Sequence, residues 1–165
     1  MADDKTTQSP AQHRATFWTR LKGINAGMLG LRSDQHFQPM SHQITEDDDR
    51  ALWFITAQGT HLAEAVSRGA QDAMHLVAEG SGKLYARLEG RLELSNDQAK
   101  LDEIWSQVSA SWFEEGRDDP DVRLLKFTIS SGEVWTTTGG LGFLYEVAKA
   151  RVTGAKPDMG EHFEL

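Results

Sequence analysis

Apolar and polar positions repeat with a strand's period over most of this chain and with a helix's period over a few stretches. From Ala11 to Gly23, Phe17, Trp18 and Leu21 recur at helical spacing and Gly23 offers a C-cap, so a helix is expected. Gly27 to Leu31 reads as a short strand whose two glycines mark a bend or a close backbone approach. After a polar turn at Arg32 to Gln35, the stretch His36 to Ile44 reads as a second strand with Pro39 inside it. Proline donates no ladder hydrogen bond, so one side of that strand is unpaired there. Either the strand is an edge or a bulge, or its free side faces a ligand. The acidic run Glu46 to Asp49 reads as a solvated turn. Ala51 to Thr56, rich in β-branched and aromatic residues, reads as a buried strand. Gln58 and Gly59 break it, and Thr60 caps a short helix through Ser67 that ends at Gly69, with Leu62 and Val66 as its apolar stripe.

Two further strands are expected at Ala73 to Glu79 and Leu84 to Leu94, joined by a Gly80-Ser81-Gly82-Lys83 turn that lacks the spacing of a phosphate-binding loop. Ser95 to Gln98 fits a capping box ahead of a long helix carrying Leu101, Ile104, Trp105, Val108 and Trp112 on one face. Val122 to Ile129 and Glu133 to Thr137 read as a last hairpin around Ser130-Ser131-Gly132. A glycine-rich loop at Gly139 to Gly142 then precedes a helix from Phe143 to Arg151 and a polar tail ending in HFEL. The order is helix, three strands, short helix, two strands, long helix, two strands, helix. Six or seven mostly antiparallel strands in 165 residues favour a mainly β fold with α, a small barrel with flanking helices. Residues 1–10 read as a disordered tail and residues 11–165 as one domain.

Composition narrows the function classes. Seventeen basic against twenty-five acidic side chains leave a net charge of −8, and no basic cluster compensates locally, which disfavours nucleic acid as a partner. An anionic cofactor stays open, because backbone amides and a few local donors hold a phosphate whatever the global charge. No apolar run approaches the roughly 20 residues of a membrane span, and the acidic, polar start is unlike a signal peptide. With no cysteine, disulfides, thiolate zinc sites and thiol nucleophiles are excluded, and the cytoplasm is the expected compartment. His13, His36, His42, His61, His75 and His162 do not pair at the helical spacing of a zinc site, so no metal is expected. The nucleophile-elbow, zinc-protease, Walker and dinucleotide-binding sequences are all missing, and no side chain stands out as a dedicated acid, base or nucleophile.

The stretch His36 to Leu62 carries the best candidate site. If its two strands pair, their adjoining backbone makes a ledge that runs into a helix start at Thr60, where a planar ring and a phosphate can lie. Taken singly, Met40 and Phe54 are ordinary core residues and Thr60 an ordinary cap. Their joint position singles them out.

The runs FWTRLKGINAGMLGL, HFQPM, LWFITAQGT, YARLEGRLEL, WFEEG with DDPD behind it, and GGLGFLYEVAKA together resemble the general stress protein branch of the pyridoxamine 5′-phosphate oxidase-like family, in order from about residue 15 to the C-terminus. That resemblance implies an FMN-binding split β-barrel, a homodimer, and FMN (or FAD) in the groove between protomers. It matches Gln38, Pro39, Met40 and Ser41 to a strand whose backbone meets the polar edge of the flavin ring. Trp53, Phe54, Ile55 and Thr56 match a ring-packing wall with a hydroxyl, and Thr60, His61 and Leu62 match the phosphate end. Trp135 matches an aromatic near the cofactor from the other chain, and Trp112 and Phe113 join it as candidates for the second wall. Gln38 and Leu62 stand where relatives carry basic residues, and each lost charged hydrogen bond is worth roughly 1.5–3 kcal/mol. A protonated His61 and the helix dipole return part of that. The function implied is a flavin-binding general stress-type protein, a weak flavin-dependent oxidoreductase. The alternatives are a non-enzymatic binder or sensor of a flavin or other flat cofactor, and an oligonucleotide-binding barrel.

Overall fold

The structure, a computed structural model, describes residues 8–47, 50–81, 83–136, 152, 154 and 160–165, with the side chains of 107 and 108 left aside. The first helix, α1, spans Pro10–Leu21. Its N-cap is Ser9, whose hydroxyl accepts from the Gln12 amide at 3.3 Å while the Gln12 side chain accepts from the Ser9 amide at 2.6 Å. With this reciprocal cap and Pro10 in the first turn, the helix begins inside the ten residues expected as a tail. There follow β1 (Gly27–Leu31), β2 (Phe37–Met40), β3 (Ala51–Ala57), α2 (His61–Ser67), β4 (Gln71–Ala78), β5 (Leu84–Ser95), α3 (Gln98–Ile104), α4 (Gln107–Ala110), a 3₁₀ turn at Gly116–Asp118, β6 (Val122–Thr136) and β7 (Glu161–Glu164). The strands form one sheet in the order β2-β1-β4-β5-β6-β3, with β7 also paired to β6.

Seven strands form among the described residues, but not the seven expected. Ser130-Ser131-Gly132 does not turn: Gly132 is buried inside β6, which runs unbroken for 15 residues where a hairpin was expected. The seventh strand comes instead from the polar tail, where Glu161–Glu164 pairs with Glu133–Thr136. β2 stops at Met40 rather than Ile44. The expected long helix is also shorter. Asp97, not Ser95, is its cap, because the Asp97 carboxylate reaches the Lys100 amide at 2.9 Å while the Ser95 hydroxyl accepts from the Asp97 amide. Trp105 takes extended backbone and ends it. The expected Gly139–Gly142 loop and Phe143–Arg151 helix lie outside the described residues, as do Asp48, Asp49 and Gly82 of the expected turns.

The chain divides into two compact units. One comprises residues 25–76 and 88–131. In it β3 separates two packed faces by its alternation. Ala51 and Trp53 cluster with Leu101, Ile104 of α3 and Leu124 of β6, with Ile55, Trp105 and Val122 against them. Phe54, fully buried, turns the other way and meets the His75 ring edge-on at 5.2 Å. Lys100 is buried over the Trp53 ring, donating to Thr45 Oγ1 at 3.2 Å and to Asp47 at 2.8 Å, and that bond holds the Asp47 carboxyl at about 2, well below its ordinary value. The second unit comprises 1–24, 77–87 and 132–165. Here Phe17 and Leu21 of α1 are fully buried, and the His13 ring stacks on Phe163 of β7 at 4.2 Å. Arg87 binds Glu133 at 2.8 Å on the strands beside it.

Candidate functional site

All of the expected site residues except Trp135 belong to the first unit. β2 pairs antiparallel with β1 in the register Gly27↔Met40, Met28↔Pro39, Leu29↔Gln38 and Gly30↔Phe37. Among the described residues it has no strand on its other side, so it is an edge of the sheet, and Pro39 sits where a missing donor removes no second ladder. Pro39 and Ser41 are exposed, Gln38 is half-buried and Met40 is buried.

The expected ledge of two paired strands does not form. β3 pairs along its whole length with β6, from Ala51↔Thr128 to Ala57↔Val122, and stands at the opposite end of the strand order from β2. The short turn after β1 lets β2 fold straight back on its predecessor, which closes less chain than a pairing across the acidic run would. What joins the two ends is a single bridge: the Gln43 amide donates to the Trp53 carbonyl at 2.8 Å, and the Trp53 amide to the Gln43 carbonyl at 2.9 Å. It ties the segment just past β2 to β3 within this unit.

The four wall residues consequently split between faces. Trp53 is buried and Ile55 half-buried in the α3 cluster, whereas Phe54 and Thr56 face the opposite interior. Thr56 carries the wall to the helix start, its hydroxyl 3.1 Å from that of Thr60. Thr60 caps α2: its Oγ1 accepts from the Ala63 amide at 3.4 Å and donates to the Ala57 carbonyl at 2.9 Å. Leu62 is fully buried beneath the helix. His61 is exposed, and its Nε2 lies 2.6 Å from Asp34 Oδ2. Asp34 also accepts from the His36 amide at 3.0 Å, and that amide together with His61 holds its carboxyl below the ordinary carboxylate value. The cation foreseen at the helix start therefore comes with its own counter-charge. Trp135 lies in the second unit, 37 % exposed, stacked on His162 across the β6–β7 pair at 5.0 Å. Of the other candidate wall residues, Trp112 is 80 % exposed and Phe113 is buried against Trp105.

Two side-chain groupings escaped the sequence reading. Asp34, two residues before the His36 amide it accepts, has the spacing of an Asx turn and was legible in principle. Its partnership with His61, far along the chain, has no sequence signal. The second is a buried pair, His42 Nδ1 to His75 Nε2 at 3.1 Å. No group of three or more candidate ligands could hold a metal ion among the described residues, and none of their helices is long and apolar enough to cross a membrane.

Residues 12–158 match the family model described as pyridoxamine 5′-phosphate oxidase like. Among solved structures, one from Jannaschia sp. CCS1 described as a general stress protein 26 is 47 % identical, with a TM-score of 0.87, covering 95 % of this chain and 99 % of that one. The general stress FMN/FAD binding protein of Xanthomonas citri is 28 % identical, with a TM-score of 0.70, covering 77 % and 90 %. A general stress family protein of Xanthomonas campestris is 27 % identical, with a TM-score of 0.72, covering 81 % and 93 %. No curated protein matches the chain. The mainly antiparallel, seven-stranded split-barrel class expected from the sequence is the fold these likenesses share.

Proposed function

This chain belongs to the pyridoxamine 5′-phosphate oxidase-like family, in its general stress protein branch, and on that premise we propose that it binds a flavin, FMN or FAD, along the free margin of β2. The observation that carries the reading is that margin: Pro39 exposed on a strand without an outer neighbour among the described residues, with exposed Ser41 just past its end, in a family whose Xanthomonas citri member is named FMN/FAD binding. Backbone groups of Gln38 to Ser41 offer the donors and acceptors that the polar edge of the ring needs. Thr60 and His61 are the groups for the phosphate. Buried Met40, Phe54, Thr56 and Leu62 back the site, whereas Trp53 and Ile55 shape it only indirectly, from the α3 cluster. Trp135 and the exposed Trp112 complete the reading from a second copy of the chain, with Phe113 packed on Trp105, so the active form is a homodimer of single-domain protomers, placed in the cytoplasm. When bound, the flavin supplies the redox chemistry, and the protein supplies orientation and electrostatics.

Between a weak oxidoreductase and a non-enzymatic binder, one contact favours the binder. An acid–base pair at these residues, His61 with Asp34, is closed on itself at 2.6 Å. Turnover of reduced nicotinamide with an added acceptor distinguishes the two. The phosphate assignment is tested by Thr60→Glu, which sets a carboxylate against the phosphate. FMN affinity is expected to fall at least about tenfold with the far-UV circular dichroism unchanged, a difference of about 1.4 kcal/mol. Unchanged affinity places the phosphate elsewhere.

A further inference from the structure

The segment that follows β2 is held by a single backbone bridge, Gln43 to Trp53, and by a buried pair of histidines. His42 and His75 are 5 % and 0 % exposed, with Nδ1 of the first 3.1 Å from Nε2 of the second. His75 sits mid-strand in β4, and Gly27 on β1 makes room for it: a Cβ at that position would come within 2.9 Å of the His75 ring and 2.4 Å of the Leu76 carbonyl oxygen. Phe54 of β3 and Phe127 of β6 meet the ring edge-on, at 5.2 and 6.5 Å. The remaining ring nitrogen, His75 Nδ1, is buried without a hydrogen-bond partner among the described residues.

We propose that His42 and His75 form a proton-operated clasp, which fastens residues 41–45 to the sheet while both rings are neutral and lets them go when the pair is protonated. A neutral pair needs only one N–H between its two facing nitrogens. A proton added to His75 places charge among phenyl rings and leaves a second N–H without an acceptor. Among the described contacts of the His75 ring, made by Gly27 of β1, Phe54 of β3, Phe127 of β6 and His42, only His42 is titratable. Burial first, and the His42 charge second, hold His75 at about 3 against an ordinary 6.5. The cheapest relief is movement of the segment. Apart from the Gln43–Trp53 bridge, its backbone makes no strand pairing among the described residues. Its far end stays anchored, because the Lys100 ammonium donates to Thr45 and Asp47. Its near end is Met40, paired with Gly27. Release is thus confined to the residues bordering the exposed margin of β2. The release itself needs no ligand, and only its consequence, a weaker flavin site in acid, rests on the function proposed above.

Hydrogen exchange on the full-length protein without flavin, corrected for the intrinsic rate, tests it. Between about pH 7.5 and about pH 5, amides of residues 41–45 are expected to lose at least about tenfold in protection relative to those of β5. In the double variant His42→Gln, His75→Phe that ratio stays within about twofold. Equal behaviour of the segment and β5 in the wild type, or a full loss retained in the double variant, overturns the clasp. Should the double variant not fold, histidine NMR of the wild type decides. His75 must stay neutral until residues 41–45 lose protection and titrate with them, whereas titration near its ordinary 6.5 with protection intact overturns the proposal.

Discussion

Gly90→Ala is expected to lower the unfolding midpoint by more than about 15 °C, or to prevent folding altogether. Gly90 is buried within β5, beside β6. A Cβ there would lie 2.0 Å from the Thr128 carbonyl oxygen, 2.9 Å from its carbon and 3.1 Å from the Ile129 Cα. All three are backbone atoms, so no flexible side chain can swing aside. The strands must part, losing ladder hydrogen bonds as they do. Overpacking alone destabilises by about 1–3 kcal/mol. With the ladder disturbed, about 4 kcal/mol or more is expected, a large share of the roughly 5–15 kcal/mol that holds a domain together. Gly80→Ala is the control, because nothing lies within 4 Å of the position its Cβ would take, and it should change stability by less than about 0.5 kcal/mol. A wild-type midpoint for Gly90→Ala would mean that β5 and β6 are not packed as described.

The second large effect is on acid stability. His75 is held at about 3 in the folded chain, against 6.5 when exposed. Between those values the unfolded chain binds a proton that the folded chain refuses, so stability rises with pH and is lost as pH falls below 6.5. The slope is about 1.4 kcal/mol per pH unit from this one residue. Urea unfolding at a series of pH values should therefore show a steep fall beginning near neutrality, and it should flatten once the clasp has opened and His75 titrates in the native state. His75→Phe should remove most of that slope. A wild-type stability constant between about pH 7 and about pH 5 would contradict the buried neutral ring.

Elements were easier to read from this sequence than partners. The limits of β1 and the core of β3, β4 and β5 follow from period-two alternation and from flanking glycines and polar turns, which are local facts. Ala73, His75 and Val77 are all buried on alternate positions of β4, so the strand's own period placed His75 inside. The strand partners are a different matter. Nothing local told β2 to pair with β1 rather than with β3, and the expected ledge proved to be one bridge at Gln43 and Trp53. Ser130-Ser131-Gly132 has the composition of a turn, yet flanking strand pairing carries β6 straight through it. Glu161–Glu164 is too short and polar to signal a strand alone and gains its order from β6.

The same division runs through the site. Resemblance assigned Trp53 and Phe54 to one wall, whereas alternation along β3 sends them to opposite faces, each already packed by the chain's own residues. Thr60 as a cap was legible from its place before an apolar stripe, and the structure gives its hydroxyl the bond to the Ala63 amide. His61 could be named, but not its closure on Asp34 at 2.6 Å, because a contact across that length of chain is a product of the fold. Pro39 was the most informative single letter, since a missing donor restricts a strand to an edge wherever the chain runs.

We propose that the open margin of β2 takes a flavin. Titration of the flavin-free protein with FMN and with FAD, followed by flavin absorbance and fluorescence, tests it most directly. Saturable binding of at least one flavin with a dissociation constant of about 10 μM or tighter is predicted, near −7 kcal/mol. No spectral change with either flavin at about 100 μM would contradict it.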